Sequence, residues 1–181
     1  MPLRLAGIVC LVLAISQASG NAAEVCSERG LMQYTDSSRT CVSSMLPPQA
    51  GNSYGPDKLG GGYDKPEGAW CEGVDGVGEG QTITLHQKPN NKIGSMTFVN
   101  GYAKTPERFK ANGRVREARI ETDSGYSKTI MLKDTPQQQT IRISPAKVSW
   151  LRLTILSVYP GARANDTCVT AFSFNQEDFL E

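Results

Sequence analysis

The sequence predicts an all-β protein, a β-sandwich with one short helix and a disulfide-closed segment in front of it. After Gly80, short runs of alternating or β-branched residues recur about every ten residues. Turn-forming sequences such as Asp123-Ser124-Gly125 separate these runs. Four cysteines follow an N-terminal leader, and an even number of cysteines is typical of exported, disulfide-bonded domains.

Seven strands are predicted from this pattern. Alternation of apolar and polar residues indicates a strand with one buried face, whereas a continuous apolar run indicates a strand buried on both faces. Turns are predicted at Lys133–Pro136 and at Ser144-Pro145, because these residues favour chain reversal. The predicted strands are Thr82–Leu85, Met96–Val99, Val115–Thr122, Ser127–Leu132, Gln139–Ile143, Trp150–Val158 and Val169–Phe174.

The predicted helix lies between the second and third of these strands. Thr105 is a favourable N-cap, Pro106 suits the first helical position, and Asn112-Gly113 supplies a C-terminal stop. Because this turn separates Lys104 from Arg114, it is expected to bring both cations to the same end of the sandwich.

Residues 1–22 have the features of a signal peptide, with cleavage expected near residues 20–23. Arg4 supplies the positive start, and Leu5–Ile15 is an apolar stretch too short to anchor the chain in a bilayer. We therefore expect a secreted or periplasmic protein with no membrane span after the leader is removed. Residues 23–45 are expected to form the disulfide-closed lead-in, and residues 46–181 the sandwich.

The charge of the chain is balanced. The sequence has 19 Lys and Arg residues against 18 Asp and Glu, a formal net charge of +1. Removing the leader takes away Arg4 and no acidic residue, which leaves 18 basic residues against 18 acidic ones. This balance argues against a nucleic-acid binder, whose surface carries a basic excess.

The four cysteines outside the leader allow three disulfide pairings. We favour Cys26–Cys41, which closes a small N-terminal loop, and Cys71–Cys168, which ties an early loop to the last strand. A metal site is not expected, because the cysteines form no C-x-x-C pair and His86 is the only histidine.

A group of polar and aromatic residues at strand ends indicates a site that grips a polar ligand without reacting with it. Amides, aromatic rings and cations suit this task, since they bind hydroxyl groups, stack on sugar rings and pair with anions. The candidates are Trp70, Glu72, Asn100, Tyr102, Lys104, Asn112, Arg114 and Tyr159.

Each of these candidates also has a structural interpretation. Trp70 could fill the core, and Asn100 beside Gly101 is favourable turn chemistry. Arg114 could form a structural ion pair with one of three acids, Glu72, Glu79 or Asp166. Tyr159 could hydrogen-bond back into its own loop. A glycosidase built on Glu72 and Glu79 is disfavoured, because nothing in the sequence sets the separation of the two carboxylates.

From Ser43 to Phe174 the chain resembles the discoidin-like domain described as a glycan-binding or translocation domain of NAD glycohydrolases. This resemblance implies a jelly-roll sandwich of the galactose-binding type, with ligand loops at one end and a non-catalytic binding role. Five short motifs in a fixed order carry it: Trp70-Cys71-Glu72-Gly73, Asn100-Gly101-Tyr102 with Lys104, Asn112 with Arg114, Ile155–Gly161, and Asp166-Thr167-Cys168.

The chain departs from this family pattern at the places where related domains hold a structural calcium ion. The early loop reads Leu59-Gly60-Gly61-Gly62, and Ala171 stands where an acid is expected in the last strand. Calcium prefers six to eight oxygen ligands, several of them charged. No cofactor is therefore expected, although Asp57, Asp64 and backbone carbonyls could still form a calcium site.

These observations predict an exported, non-catalytic module that binds a glycan or polysaccharide at the loop end of the sandwich. The alternative is a protein–protein interaction module that partners a secreted or cell-envelope protein. The alternative predicts an exposed apolar or aromatic patch of interface size rather than a polar cleft.

Overall fold

The computed structural model describes residues 23–29, 38–60, 67–87 and 92–175. The predicted signal peptide lies outside these residues. Within them no helix has the length and apolar character needed to cross a membrane. The elements are β1 (Val25–Arg29), β2 (Ser38–Val42), a 3-10 turn (Pro56–Leu59), β3 (Trp70–Cys71), β4 (Thr82–His86), β5 (Lys92–Asn100), α1 (Pro106–Ala111), β6 (Gly113–Thr122), β7 (Ser127–Met131), β8 (Gln138–Lys147), β9 (Trp150–Tyr159) and β10 (Thr167–Phe174).

The predicted fold class is confirmed: the described residues form a jelly-roll β-sandwich with one short α-helix. All seven predicted strands are present, and β1, β2 and β3 add to them. The predicted turn at Ser144-Pro145 is wrong, because β8 runs through it to Lys147. The pairing of β8 with β5 shifts register between Ile93 and Ser95, beside this site. A proline without an N–H group is tolerated at such an irregularity of a strand at the sheet edge.

The helix α1 begins and ends where the sequence predicts. The Thr105 hydroxyl accepts a hydrogen bond from the backbone N–H of Arg108, and Pro106 occupies the first turn. Asn112 ends the helix, its backbone N–H donating to the carbonyl of Arg108. Phe109 is the buried residue of this helix and fixes it against the end of the sandwich.

The strands follow the order β1-β2-β4-β9-β6-β10-β5-β8, with β3 paired to β10 and β7 paired to β6. The link between β6 and β10 is parallel and short, joining Gly113 to Thr167 and Arg114 to Cys168. The same pair of strands therefore connects two layers, one that holds β9 and β7 and one that holds β5 and β8. Side chains from both layers enter one hydrophobic core cluster, which includes Ile83, Leu153, Phe98 and Phe172.

Both predicted disulfides are confirmed. Cys26–Cys41 joins β1 to β2, and Cys71–Cys168 joins β3 to β10. The lead-in is not separate from the sandwich, since β2 pairs with β4 and Val42 is fully buried in the core.

Candidate functional site

The structure brings all eight predicted ligand residues to one end of the sandwich. There β5 and β9 finish while β6 and β10 begin, so Arg114 lies opposite Tyr159 and Trp70 lies opposite Val169. Gly101 makes an isolated bridge to Val169, which places the following Tyr102 at the same end. These residues therefore lie at one end of the sandwich, but most of their side chains are committed to contacts within the protein.

Asn100 is fully buried, and its amide is saturated. Its Nδ2 donates to the carbonyl of Val115 at 2.7 Å and to that of Lys133 at 3.2 Å. Its Oδ1 accepts from the backbone N–H of Gly101 at 3.0 Å and from that of Val115 at 2.9 Å. The amide has two donors and two favourable acceptor directions, so no capacity remains for a ligand. The predicted ligand contact is wrong. Asn100 instead has a structural role, because its amide links the end of β5 to Val115 in β6 and to Lys133 in the β7–β8 connection.

Arg114 is largely buried and holds Asp134 with a bidentate pair. Its Nε and Nη2 reach the two carboxylate oxygens at 3.0 and 2.9 Å. Its Nη1 donates to the carbonyls of Asn112 and Pro160 at 3.0 and 2.7 Å. Gly101 permits this packing, since it has φ of +66° and an added Cβ would lie 2.6 Å from Cγ of Arg114. A structural ion pair is present, as considered from the sequence, but its partner is Asp134 and none of the three acids named there.

Tyr159 completes a set of anchors on the connection between β7 and β8. Its hydroxyl donates to the carbonyl of Leu132 at 3.1 Å. Gln139 closes the connection from the β8 side, accepting from the N–H of Lys133 at 2.8 Å and donating to its carbonyl at 3.2 Å. Residues 132–134 are therefore held in place by side chains from β5, β6 and β9: Asn100, Arg114 and Tyr159.

The two aromatic candidates are enclosed. Trp70 is fully buried, and its Nε1 donates to the carbonyl of Ser44 at 2.8 Å. Tyr102 is 2% exposed, packs edge-on against Tyr54 and lies under the guanidinium of Arg108 at 4.9 Å. Stacking on a sugar needs an exposed ring face. The predicted stacking role is therefore wrong for both Trp70 and Tyr102, whose buried rings pack within the protein.

Glu72 is a carboxylate with no exposed surface. It accepts hydrogen bonds from the backbone N–H groups of Val74 at 2.9 Å and Thr167 at 3.1 Å. Burial raises the pKa of this carboxyl, and the two hydrogen bonds partly oppose the shift. The close approach of Gly78 walls off its side chain, because a Cβ there would lie 2.5 Å from Cγ of Glu72. Glu72 therefore holds the loop after β3 through its hydrogen bonds and is not exposed to a ligand.

The remaining two candidates differ in exposure. Asn112 donates from Nδ2 to the carbonyl of Arg108 at 2.8 Å and so closes the end of α1. Lys104 is exposed and forms no ion pair within the part of the chain that the structure describes. Of the eight candidates, Lys104 is therefore the one whose charge is open to a ligand at the loop end.

A groove of about 690 Å³ lies beside this end, between β7 and β8. It is lined by residues 130–133, 135 and 137–142. Its apolar part includes Leu132 and Ile141, which are buried, and Met131, whose side chain is 58% exposed. Exposed Gln138 and Thr140 supply an amide and a hydroxyl. A mixture of apolar contacts and a few polar groups on regular strands is what a preformed small-ligand site contains.

Sequence reasoning missed this groove, although the signal was present. The run Gln137-Gln138-Gln139 places three amides directly after a predicted turn and before a strongly alternating strand. Only the tertiary structure shows that β7 and β8 face each other across an opening, because these strands pair with β6 and β5 instead of with one another.

The calcium prediction is not tested by this arrangement. Asp57 forms an ion pair with Lys58 at 2.8 Å, while Asp64 lies outside the described residues. Ala171 is fully buried and bridges to Gly60 through the backbone. No cluster of three or more potential metal ligands occurs among the described residues.

Comparison with solved structures gives matches at low sequence identity. The arabinofuranosyltransferase AftD from Mycobacteria matches with a TM-score of 0.57 and 16% identity over 87% of this chain, which spans 12% of that chain. CpGH89CBM32-5 from Clostridium perfringens, solved with GalNAc-β-1,3-galactose, has a TM-score of 0.55 and 15% identity, covering 76% of this chain and 94% of that chain. The CBM32 of AlyQ, solved with 4,5-unsaturated mannuronic acid, has a TM-score of 0.50 and 12% identity, covering 76% and 93%. These likenesses establish a shared fold with carbohydrate-binding modules.

Comparison with curated proteins gives no match. A family model does match: the NAD glycohydrolase translocation F5/8 type C domain aligns with residues 33–175, which is well over half of the chain. The jelly-roll fold and the ordered motifs around Asn100, Arg114 and Cys168 agree with this match. The chain belongs to the family of NAD glycohydrolase translocation F5/8 type C domains.

Proposed function

We propose that this protein is an exported, non-catalytic carbohydrate-binding module that holds a glycan in the β7–β8 groove. The observation that carries the proposal is the groove itself, an opening with apolar and amide lining beside an immobilised loop. Family membership and the fold shared with sugar-bound modules support it.

The groove offers the two kinds of contact that a sugar requires. Hydroxyl groups of a sugar can exchange hydrogen bonds with the exposed amide of Gln138 and the hydroxyl of Thr140. The apolar face of a sugar ring can pack on the exposed side chain of Met131. Binding in this manner needs preformed groups and no chemical step.

The buried candidates act as positioning residues for this groove. Asn100, Arg114 and Tyr159 hold the backbone of residues 132–134, which forms one end of the groove lining. A loop held this way loses little conformational freedom when a ligand binds, so binding costs less entropy. The motifs that carry the family resemblance thus support the groove without entering it.

The non-catalytic part of the proposal rests on the carboxylates. A glycosidase needs two carboxyl groups that face the scissile bond from opposite sides. Glu72 has no exposed surface and spends both oxygens on backbone N–H groups. It therefore lacks the access that an acid or a nucleophile needs.

The protein-interaction alternative gains no support from the described surface. Its large exposed apolar side chains are Val25, Val74 and Met131, which lie on three different elements. A stable protein interface needs a contiguous patch of roughly 800 Å² on each partner.

The proposal is tested by binding of the mature, oxidised protein to a glycan and polysaccharide panel, with calcium and with chelator. Two variants then locate the site: Gln138→Ala removes an exposed amide in the groove, and Lys104→Ala removes the exposed cation at the loop end. We expect Gln138→Ala to weaken binding about fivefold or more, the loss of one or two hydrogen bonds, with Lys104→Ala near wild type.

The opposite pattern would move the site to the loop end and keep the carbohydrate function. If a folded, oxidised protein binds no glycan in either condition, the carbohydrate function itself fails. Loss of binding with chelator would establish a calcium requirement.

A further inference from the structure

The charged groups of the β7–β8 groove are all positive. We infer that the groove selects an anionic glycan, one that carries carboxylate or sulfate groups, over a neutral glycan of the same backbone. This inference rests on the proposed function and names the class of ligand for the same site.

Two cations line the groove. Lys133 lies in the connection between β7 and β8, and Arg142 lies within β8. Both residues are exposed, and neither forms an ion pair within the described ranges. An exposed cation without a protein partner is available to an anion from solution at little desolvation cost.

No acidic residue belongs to the lining, so Lys133 and Arg142 give it a formal charge of +2. Asp134 is the acid next to Lys133 in the sequence. Both of its carboxylate oxygens are occupied by Arg114, at 3.0 and 2.9 Å. The ion pair with Arg114 therefore offsets the charge of the acid next to Lys133.

The two cations are also spaced along the strand. Gln139 binds the backbone of Lys133 through both ends of its amide, which places Lys133 beside this position of β8. Arg142 follows three residues later, about 10 Å further along an extended strand. An oligosaccharide lying along β8 can thus meet one cation near each end, with Gln138 and Thr140 contacting its hydroxyl groups.

Arginine and lysine recognise these anions differently. The guanidinium of Arg142 presents paired N–H groups that match a carboxylate or sulfate, whereas Lys133 acts as a point charge. Charge-assisted hydrogen bonds of this kind are stronger than those to neutral hydroxyls, so they discriminate between acidic and neutral sugars.

The experiment compares three ligands with one backbone: an oligomannuronate, the same oligosaccharide after carboxyl reduction, and a sulfated derivative of the reduced form. Calorimetry measures the Kd of each with wild-type protein at low and high ionic strength. We expect the two anionic ligands to bind about tenfold tighter than the neutral one, with the advantage shrinking in high salt. The ratio of the carboxylate to the sulfate ligand identifies the preferred anion.

Variants assign the effect to the groove. Lys133→Gln and Arg142→Gln each remove one charge from an exposed side chain that holds no described structural contact, so folding is preserved. We expect each to lower affinity for the anionic ligands severalfold and to leave the neutral ligand unchanged. The matched control is Lys147→Gln, which removes an exposed charge from the same strand outside the groove.

Three results would overturn the inference. Equal affinity for acidic and neutral ligands removes the charge selectivity and leaves the carbohydrate function standing. An equal loss for Lys147→Gln and Arg142→Gln shows an unspecific charge effect. Absence of binding to all three ligands and to the wider panel removes the proposed function together with its ligand class.

Discussion

At the scale of single residues, Glu72 is the buried acid among the residues that the structure describes. It sits against Gly78, beside the Cys71–Cys168 bridge, and both oxygens accept backbone hydrogen bonds. Within the described residues, its carboxylate is therefore met by backbone N–H dipoles and by no ion pair. Burial raises its pKa above the ordinary value of 4.5, since the charged form loses more solvation than the two hydrogen bonds return.

This shift predicts a pH dependence of stability. The folded protein binds the Glu72 proton more tightly than the unfolded chain, so the free energy of unfolding contributed by this group falls as pH rises from 4.5 through the raised pKa. Glu72→Gln removes the titration. Urea denaturation at a series of pH values should show the wild-type stability declining relative to the variant across this window and running parallel to it elsewhere.

The comparison of wild type and variant cancels every other titrating group. A difference in stability that stays constant with pH would show that Glu72 has the same pKa in the folded and unfolded states.

Asn100 illustrates how a residue can be placed correctly and its role misjudged. The sequence puts an amide at the end of a buried strand, and an amide there serves a turn or a ligand equally well. The structure decides between them because Val115 and Lys133 approach from other elements and consume the amide. A sequence pattern around Asn100 cannot reveal these two partners, because they lie 15 and 33 residues away along the chain.

At the scale of elements, the connection between β7 and β8 is the part of the chain that the site depends on. It is held by three residues from other strands, at Leu132, Lys133 and Asp134. Three side-chain contacts therefore restrain this short polar loop. The sequence predicts a turn at Lys133–Pro136, but it contains no sign that the turn is anchored from β5, β6 and β9.

Tyr159→Phe tests this anchoring. The change removes the hydrogen bond to the carbonyl of Leu132 and keeps the ring, so we expect a loss of about 1 kcal/mol in unfolding free energy. Because the loop is then less restrained, glycan affinity should fall by a similar factor for acidic and neutral ligands. Chemical denaturation and calorimetry measure the two effects.

The matched control is Tyr126→Phe, a half-buried tyrosine at the other end of β6 and β9. Its hydroxyl forms no hydrogen bond within the described residues, so both stability and affinity should be nearly unchanged. If Tyr159→Phe loses stability but leaves every affinity intact, the loop does not position the groove.

At the scale of the whole molecule, two disulfides restrain very different lengths of chain. Cys71–Cys168 has a sequence separation of 97 residues and joins β3 to the last strand. Cys26–Cys41 has a separation of 15 and joins β1 to β2. Cross-linking restricts the unfolded chain more when the enclosed loop is longer.

Replacing each cysteine pair with alanine should reveal this difference. The loop-entropy relation gives about 4.7 kcal/mol for the long closure and about 3 kcal/mol for the short one. Urea denaturation of the Cys71→Ala/Cys168→Ala and Cys26→Ala/Cys41→Ala variants measures both. An equal or larger loss for the short closure would mean that local packing, and not chain restriction, sets the contribution of each bridge.

Much of this protein is determined by local sequence. Alternation of residue types places the seven strands, Thr105 and Pro106 start the helix, and the even number of cysteines outside residues 1–22 indicates two disulfide bridges. These features depend on neighbouring residues along the chain, so rules of periodicity and helix capping can predict them.

The location of the proposed binding surface follows from tertiary structure alone. Burial and hydrogen-bond saturation depend on which strands come together, and the partners of Asn100 and Arg114 lie up to 46 residues away in sequence. The same packing that encloses these residues opens a groove between β7 and β8 and leaves Lys133 and Arg142 facing it. Residue type could mark the amides and cations as candidates, but only the fold determined which of them remain accessible to a ligand.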